Sequence, residues 1–436
     1  MSRRNKKRDT ITNGLNANKI SNQNGRLSDY LALMPGLLMC FMVFMVLVLD
    51  IFMSQMIEDQ YEEFQTIFNV MNCLSVISGI IYLIIVHKAI RINSVAYWLF
   101  AAFMICIVIS TAVNGLTDAA IHGIPYRNIG IFHTFTFIVI YMGVSSMIPR
   151  ESFKRFILIM YLTVADFVAV SAIINLYMGN IEAYDNKKEL SAIFFNGNHY
   201  GYFLVMALLI AFGYVIFGNM QQMIFGIISA AINGIAMIIN HSFGSILAVF
   251  IILIITCIIN IAVDSNRRKK TIMLSISIVI IGIAAFLISP DIAKEVNTFI
   301  RDMQSIVAGT DTGSAGHNRM KLWKYTVECI RNRPLVGYGC EGISIKMYDE
   351  IKIANPHNEI LTYAAYYGIP AAVIYTAGVA AVITNAIGSH KKSSESEKIA
   401  LMAAAGYFIS SLVGVGMFYT MPFFYLFLGV STIKKE

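Results

Sequence analysis

The sequence predicts an all-α, polytopic membrane helix bundle of about twelve transmembrane helices with one large extracytoplasmic loop. Three observations predict it. Of the 436 residues 57% are hydrophobic and only 14% charged, with mean hydropathy +0.66; a soluble domain carries about 25% charged residues. Apolar stretches close to the length a spanning helix needs, about 20 residues, recur along the chain. The Lys and Arg residues between those stretches alternate in density, as the two sides of a membrane require.

Residues 1–30 are polar, basic and Asn-rich. They are expected to form a disordered cytoplasmic N-terminus able to associate with anionic lipid. The first apolar run starts near Leu31, too long and too late for a cleaved signal peptide, so this terminus is expected to stay. Spans follow near 31–53, 67–87, 95–113, 128–147, 155–178, 200–217, 222–240, 243–263 and 271–289. These nine make up a membrane domain of residues 31–289. After a polar region at 290–357, three more spans near 358–388, 399–415 and 417–431 complete a C-terminal membrane domain, 358–436. The tenth is long enough to break at Gly368-Ile369-Pro370.

Sidedness follows from the connections. SRRNKKR at the N-terminus, HKAIR, PRESFKR, NRRKK, KKSSESEK and the C-terminal lysines fall on one side and, with Lys19 and Arg26 of the N-terminal segment, hold 21 of the 33 Lys and Arg residues. The other side begins with IEDQYEEFQ, which has no basic residue. The first set is therefore cytoplasmic, both termini lie inside and the 290–357 loop lies outside. The net charge of +7 is explained by this sidedness, and a nucleic-acid partner is not implied. Of the six cysteines, Cys40, Cys73, Cys106 and Cys257 lie in apolar runs and read as small hydrophobes. Cys329 and Cys340 share the outer loop and could pair. No CxxC spacing supports a zinc or redox site.

Within the loop, residues 315–333 read AGHNRMKLWKYTVECIRNR. Met320, Trp323, Val327 and Ile330 fall at helical spacing on one face, with Lys321, Lys324, Glu328 and Arg331 on another. This predicts an amphipathic helix at the membrane surface. Arg319, four residues before Trp323, sits at the edge of its apolar face. Pro334 ends the helix, and Gly337 and Gly339 allow a tight turn.

The stretch NPHNEILTYAAYYGIP, residues 355–370, opens the tenth span. Asn355 reads as an N-cap with Pro356 at the first helical position. His357 and Asn358 then fall in the first turn, where the partial positive charge of a helix start favours a neutral imidazole and a nearby phosphate. The bland reading makes His357 a polar residue at a helix end and the basic helix a solvated one anchored by Trp323.

Taken in order, an Arg, a Trp four residues on, Pro-x-x-Gly-x-Gly, then His-Asn opening an apolar helix with Gly-Ile-Pro beyond, resemble the O-antigen ligase and O-antigen polymerase superfamily. The residues that carry the resemblance are Arg319, Trp323, Pro334, Gly337, Gly339, His357, Asn358 and Gly368. NGNHYGYFLVMALL (196–209) and NHSFGSILAVFIILI (240–254) resemble two further family segments, the first marking Asn198. In the second, Phe243 stands where the family usually has the arginine of Ser-Arg-Gly. Arg127, Lys187, Lys188, His199 and His241 are candidates to supply the missing phosphate contact.

The resemblance implies a GT-C-like membrane fold in the bacterial cytoplasmic membrane. It also implies a glycosyltransferase whose donor is a polyprenyl-diphosphate-linked oligosaccharide and whose acceptor is a glycan. Membrane lipid is the further partner, and no cofactor and no metal are implied. Arg319 would stabilise the leaving diphosphate and His357 would accept the acceptor's proton. Asn358, Trp323, Gly337, Gly339, Asn198 and Arg127 would bind substrate. Inversion by direct displacement is expected. Polymerisation of surface-polysaccharide repeat units is the first reading. Ligation of the finished glycan to a lipid, wall polymer or protein is the second. A transporter or flippase is a third, disfavoured because no internal repeat is visible and Asp166 is the one clear mid-span acid. That carboxylate is expected to face the bundle and find a partner.

Overall fold

The computed structural model describes residues 95–124, 129–147, 151–178, 190, 192–194, 196–264, 267–276, 290–310, 313, 315–316, 318–418 and 420–432, together with residues 70, 73, 74, 77 and 287. The expected N-terminal segment, the first span and most of the second and ninth lie outside the described residues. So do Arg127, Lys187 and Lys188.

Among the described residues the secondary structure is helical, with no strand. The helices are α1 (Val95–Asn114), α2 (Asp118–His122), α3 (Ile131–Met147), α4 (Glu151–Tyr177), α5 (Gly197–Phe217), α6 (Met220–Asn240) and α7 (Phe243–Val263). There follow α8 (Pro290–Val307), α9 (Arg319–Asn332), α10 (Gly342–Ile351), α11 (Glu359–Tyr367), α12 (Ile369–Gly388), α13 (Glu395–Ser411) and α14 (Met421–Val430). Six of them, α1, α4, α5, α6, α7 and α12, are long and apolar enough to cross a membrane. The helices at Ile131–Met147 and Met421–Val430 are shorter than the expected spans they replace, and Glu395–Ser411 matches its expected span in length but starts four residues earlier.

Helix α5 is the centre of the bundle. It is apolar on all sides, and 17 of its 21 residues are buried, against 6 of 21 in α6. It packs against α6, α7 and α13. The outward faces of the surrounding helices stay apolar: Ile105, Val108 and Ile109 on α1, Ile224, Ile227 and Ile228 on α6, and Ile254 and Ile258 on α7 are exposed. Continuous apolar surface of this kind is what a helix presents to lipid. Asp166 of α4 turns inward, where Ser229 Oγ donates to its Oδ2 at 2.5 Å and Asn233 Nδ2 to its Oδ1 at 2.6 Å. Both partners lie on α6, so this acid joins two helices.

Polar groups sort to the two ends of α5. At its C-terminal end Arg267 donates to the Phe217 carbonyl at 3.1 Å and to Glu395 at 3.0 Å. Lys154 pairs with Glu397 beside it. Ser394 and Glu397 cap α13 reciprocally. At the other end lie the N-cap Asn196, the Asn240–Ser242 turn between α6 and α7, and the residue after α13, Leu412. At about 1.5 Å per residue, the 21 residues of α5 hold the two ends roughly 30 Å apart.

The tenth span breaks at Gly368, as expected, into α11 and α12, with φ +93° at the glycine. Two expectations are corrected here. The 290–357 loop holds three helices, because α8 and α10 flank the expected α9. Cys329 and Cys340 form no disulfide; the Cys340 thiol donates instead to the Ile129 carbonyl at 3.4 Å.

Candidate functional site

Helix α9 starts with Arg319 and buries Leu322, Thr326, Cys329 and Ile330. The expected apolar face is thus rotated, and Val327 is exposed. The reason is that α9 packs on α11 rather than lying on a lipid surface. The expected polar residues Lys321, Lys324, Glu328 and Arg331 do face outward. Tyr325 donates to Glu350 at 2.8 Å, tying α9 to α10. Burial and that bond push its phenol above the ordinary range, so it remains a donor. Rotation leaves Trp323 turned toward the 355–359 stretch, where its Nε1 donates to the Pro356 carbonyl at 3.0 Å.

The Asn-Pro-His-Asn stretch is built differently from the expected helix start. Asn355 Oδ1 accepts from the His357 backbone at 2.8 Å, making a tight side-chain turn. Asn358 is the N-cap of α11, accepting from Leu361 N at 2.9 Å. His357 therefore lies just before the cap and not in the first turn. Its backbone is left-handed, φ +53°, a conformation that histidine visits more readily than most residues. Two good caps stood three residues apart, and the second won because Glu359 follows it. That buried carboxylate accepts from Tyr375 at 2.7 Å across the Gly368 break.

A cavity of about 1000 Å³ lies at this end of the bundle. Arg319, Trp323 and His357 line it together with Asn198, so four of the expected site residues meet there. The others do different work. Asn358 is committed to the cap and donates from Nδ2 to the Leu412 carbonyl at 2.9 Å. Gly337 and Gly339, at φ +63° and +81°, fold the PLVGYG turn onto the end of α11. Tyr338 N and Gly339 N donate there to Ala365 O and Tyr366 O, both at 2.9 Å. A side chain on Gly337 would meet the Ala365 carbonyl at 2.5 Å. Neither glycine lines the cavity.

A second wall of the cavity is Asn196 to Asn198 and the Asn240–Ser242 turn. Asn240 Nδ2 holds the Leu190 and Gly197 carbonyls at 2.6 and 2.8 Å. Phe243 is part of this wall and meets Phe299 ring to ring at 5.9 Å. Of the candidate substitutes for a basic residue there, His241 lines the cavity while His199 does not. The third wall is α8. Glu295, Thr298, Phe299, Asp302, Met303 and Ile306 face the cavity at helical spacing. None of these α8 residues was among the expected site residues; the three- and four-residue spacing of 295–306 was the signal.

Arg319 meets the cavity with hydrogen-bonding capacity in reserve. Its Nη1 donates to the Gly316 carbonyl at 3.0 Å, while its buried Nε has no partner. A guanidinium so placed suits an anion with paired oxygens. No curated protein matches the chain. Residues 228–376, which run from within α6 to within α12 and hold Arg319, Trp323 and His357, match the family model described as O-Antigen ligase, and in this region the chain is similar to the O-antigen ligase and O-antigen polymerase superfamily.

Proposed function

We propose that the protein transfers a glycan from a polyprenyl diphosphate to an acceptor hydroxyl on the extracytoplasmic face of a bacterial membrane. The observation that carries this reading is that Arg319 and His357 line one cavity. Trp323 ties their two segments together through Pro356. The acceptor oxygen attacks the anomeric carbon as the bond from that carbon to the diphosphate oxygen breaks. The proton passes to His357, and the electron pair leaves on the diphosphate, whose charge Arg319 holds. One displacement inverts the anomeric centre. Arg319 supplies the charge the leaving group needs, so the transferase is read as metal-independent. The Asn196–Asn198 wall, with its amide groups, suits sugar hydroxyls.

The basic cluster around Arg267 sits at the other end of α5, which supports an outer location for the cavity by the positive-inside rule. Polymerisation of repeat units remains the first reading and ligation the second. The test uses purified protein in proteoliposomes with lipid-linked glycan. His357→Asn suits the left-handed backbone but removes the base. It should lower the rate about 10²–10⁴-fold at wild-type protein level. A near-wild-type rate would make His357 a structural residue only. Surface polysaccharide from a deletion strain separates the two readings: single repeats mean a polymerase, full-length chains left on the carrier mean a ligase.

A further inference from the structure

We infer that Asp302 is a positioning residue for Arg319, acting through the backbone of Gly316. This rests on the reading of Arg319 as the diphosphate ligand. Asp302 lies on the cavity face of α8, in a different element from Arg319. Its Oδ2 accepts from the Gly316 N–H at 2.8 Å. The Gly316 carbonyl in turn accepts from Arg319 Nη1 at 3.0 Å. Gly316 adopts φ +64°, the left-handed backbone that glycine takes without strain.

The relay has a consequence for anion binding. A carboxylate paired directly with Arg319 would compete with diphosphate for the same N–H groups. Among the described residues no carboxylate forms an ion pair with Arg319. By holding the Gly316 N–H, Asp302 fixes in place the residue whose carbonyl accepts from Arg319, while the guanidinium Nε stays without a partner. The same bond ties α8 to the start of α9, which makes two cavity walls one unit.

The test uses the full-length protein in detergent, with farnesyl diphosphate as a soluble isoprenoid diphosphate. Binding is measured by calorimetry, and phenylglyoxal modification of Arg319 is followed by mass spectrometry. Asp302→Ala should weaken binding about tenfold and speed modification of Arg319 several-fold. Asp302→Asn, whose amide oxygen still accepts from Gly316, should recover most of both. Asp302→Ser, too short to span the gap, is the second truncation if the alanine variant is not monodisperse. Added to Arg319→Ala, Asp302→Ala should cost nothing further. Equal losses with and without Arg319 would overturn the inference, as would wild-type binding and labelling in both truncations. Wild-type binding by Arg319→Ala alone would instead overturn the diphosphate reading, while the labelling rates would still report whether Asp302 fixes Arg319.

Discussion

At the scale of single residues, the site depends on geometry more than on charge count. Arg319 presents a planar fork with one N–H held and Nε unpartnered. Arg319→Lys keeps the charge but replaces that fork with a point donor. Transfer activity should fall by about tenfold or more, measured as glycan elongation or transfer in proteoliposomes; an unchanged rate would reduce Arg319 to a lipid-facing cation. Trp323 lines the cavity, and its indole N–H holds the Pro356 carbonyl. Trp323→Phe preserves the ring and deletes that donor. His357 then loses a fixed backbone on its N-terminal side. The expected result is a fall in kcat of about tenfold with a smaller change in KM. A change confined to KM would favour a direct contact with sugar.

At the scale of elements, the decisive feature is the break between α11 and α12. Gly368 has φ +93°, and a side chain there would sit 2.1 Å from the Leu335 carbonyl. Ile369 N donates to the Pro334 carbonyl at 2.7 Å, so the loop after α9 is sewn into the break. The Glu359–Tyr375 bond spans it from the other side. Gly368→Ala combines strained backbone with a clash against main chain. The cost should be about 2–5 kcal/mol, visible as a lower melting temperature in detergent. A variant as stable as the wild type would mean that the loop can move away cheaply. The glycines at 337 and 339 belong to the same joint. They dock the turn onto the end of α11 and do not line the cavity.

For the whole molecule, α5, α6, α7 and α13 all run between a charged end and the cavity end. Glu395 and Arg267 mark the first; Asn196, Asn240, Phe243 and Val413 mark the second. If the charged end is cytoplasmic, Cys placed at Ser305 on α8 should react with an impermeant maleimide in intact cells. Cys placed at Ser393, before α13, should react only after lysis. The reverse pattern would put the cavity inside and remove the lipid-linked donor from its reach.

How much was legible in the sequence differs by level. Hydropathy and the alternation of Lys and Arg determined an all-helical membrane chain, because lipid forces every backbone polar group to be satisfied within a helix. The break at Gly368-Ile369-Pro370 was also readable, since proline and a positive-φ glycine end a helix locally. The order Arg, Trp, His-Asn marked the segments that build the cavity. What the sequence did not hold was direction. Which face of α9 turns inward depended on α11 as its neighbour, so Val327 went out and Leu322 went in. Which asparagine caps α11 depended on a partner for Glu359, sixteen residues on in Tyr375. Asn358, Gly337 and Gly339 looked like ligand residues because they stand among them, yet their bonds go to the scaffold. Glu295 and Asp302 were not among the expected site residues, because the cavity they share with Arg319 is built from two elements. Local chemistry fixes where a helix can begin and end; only packing between distant segments decides which side chains share a cavity.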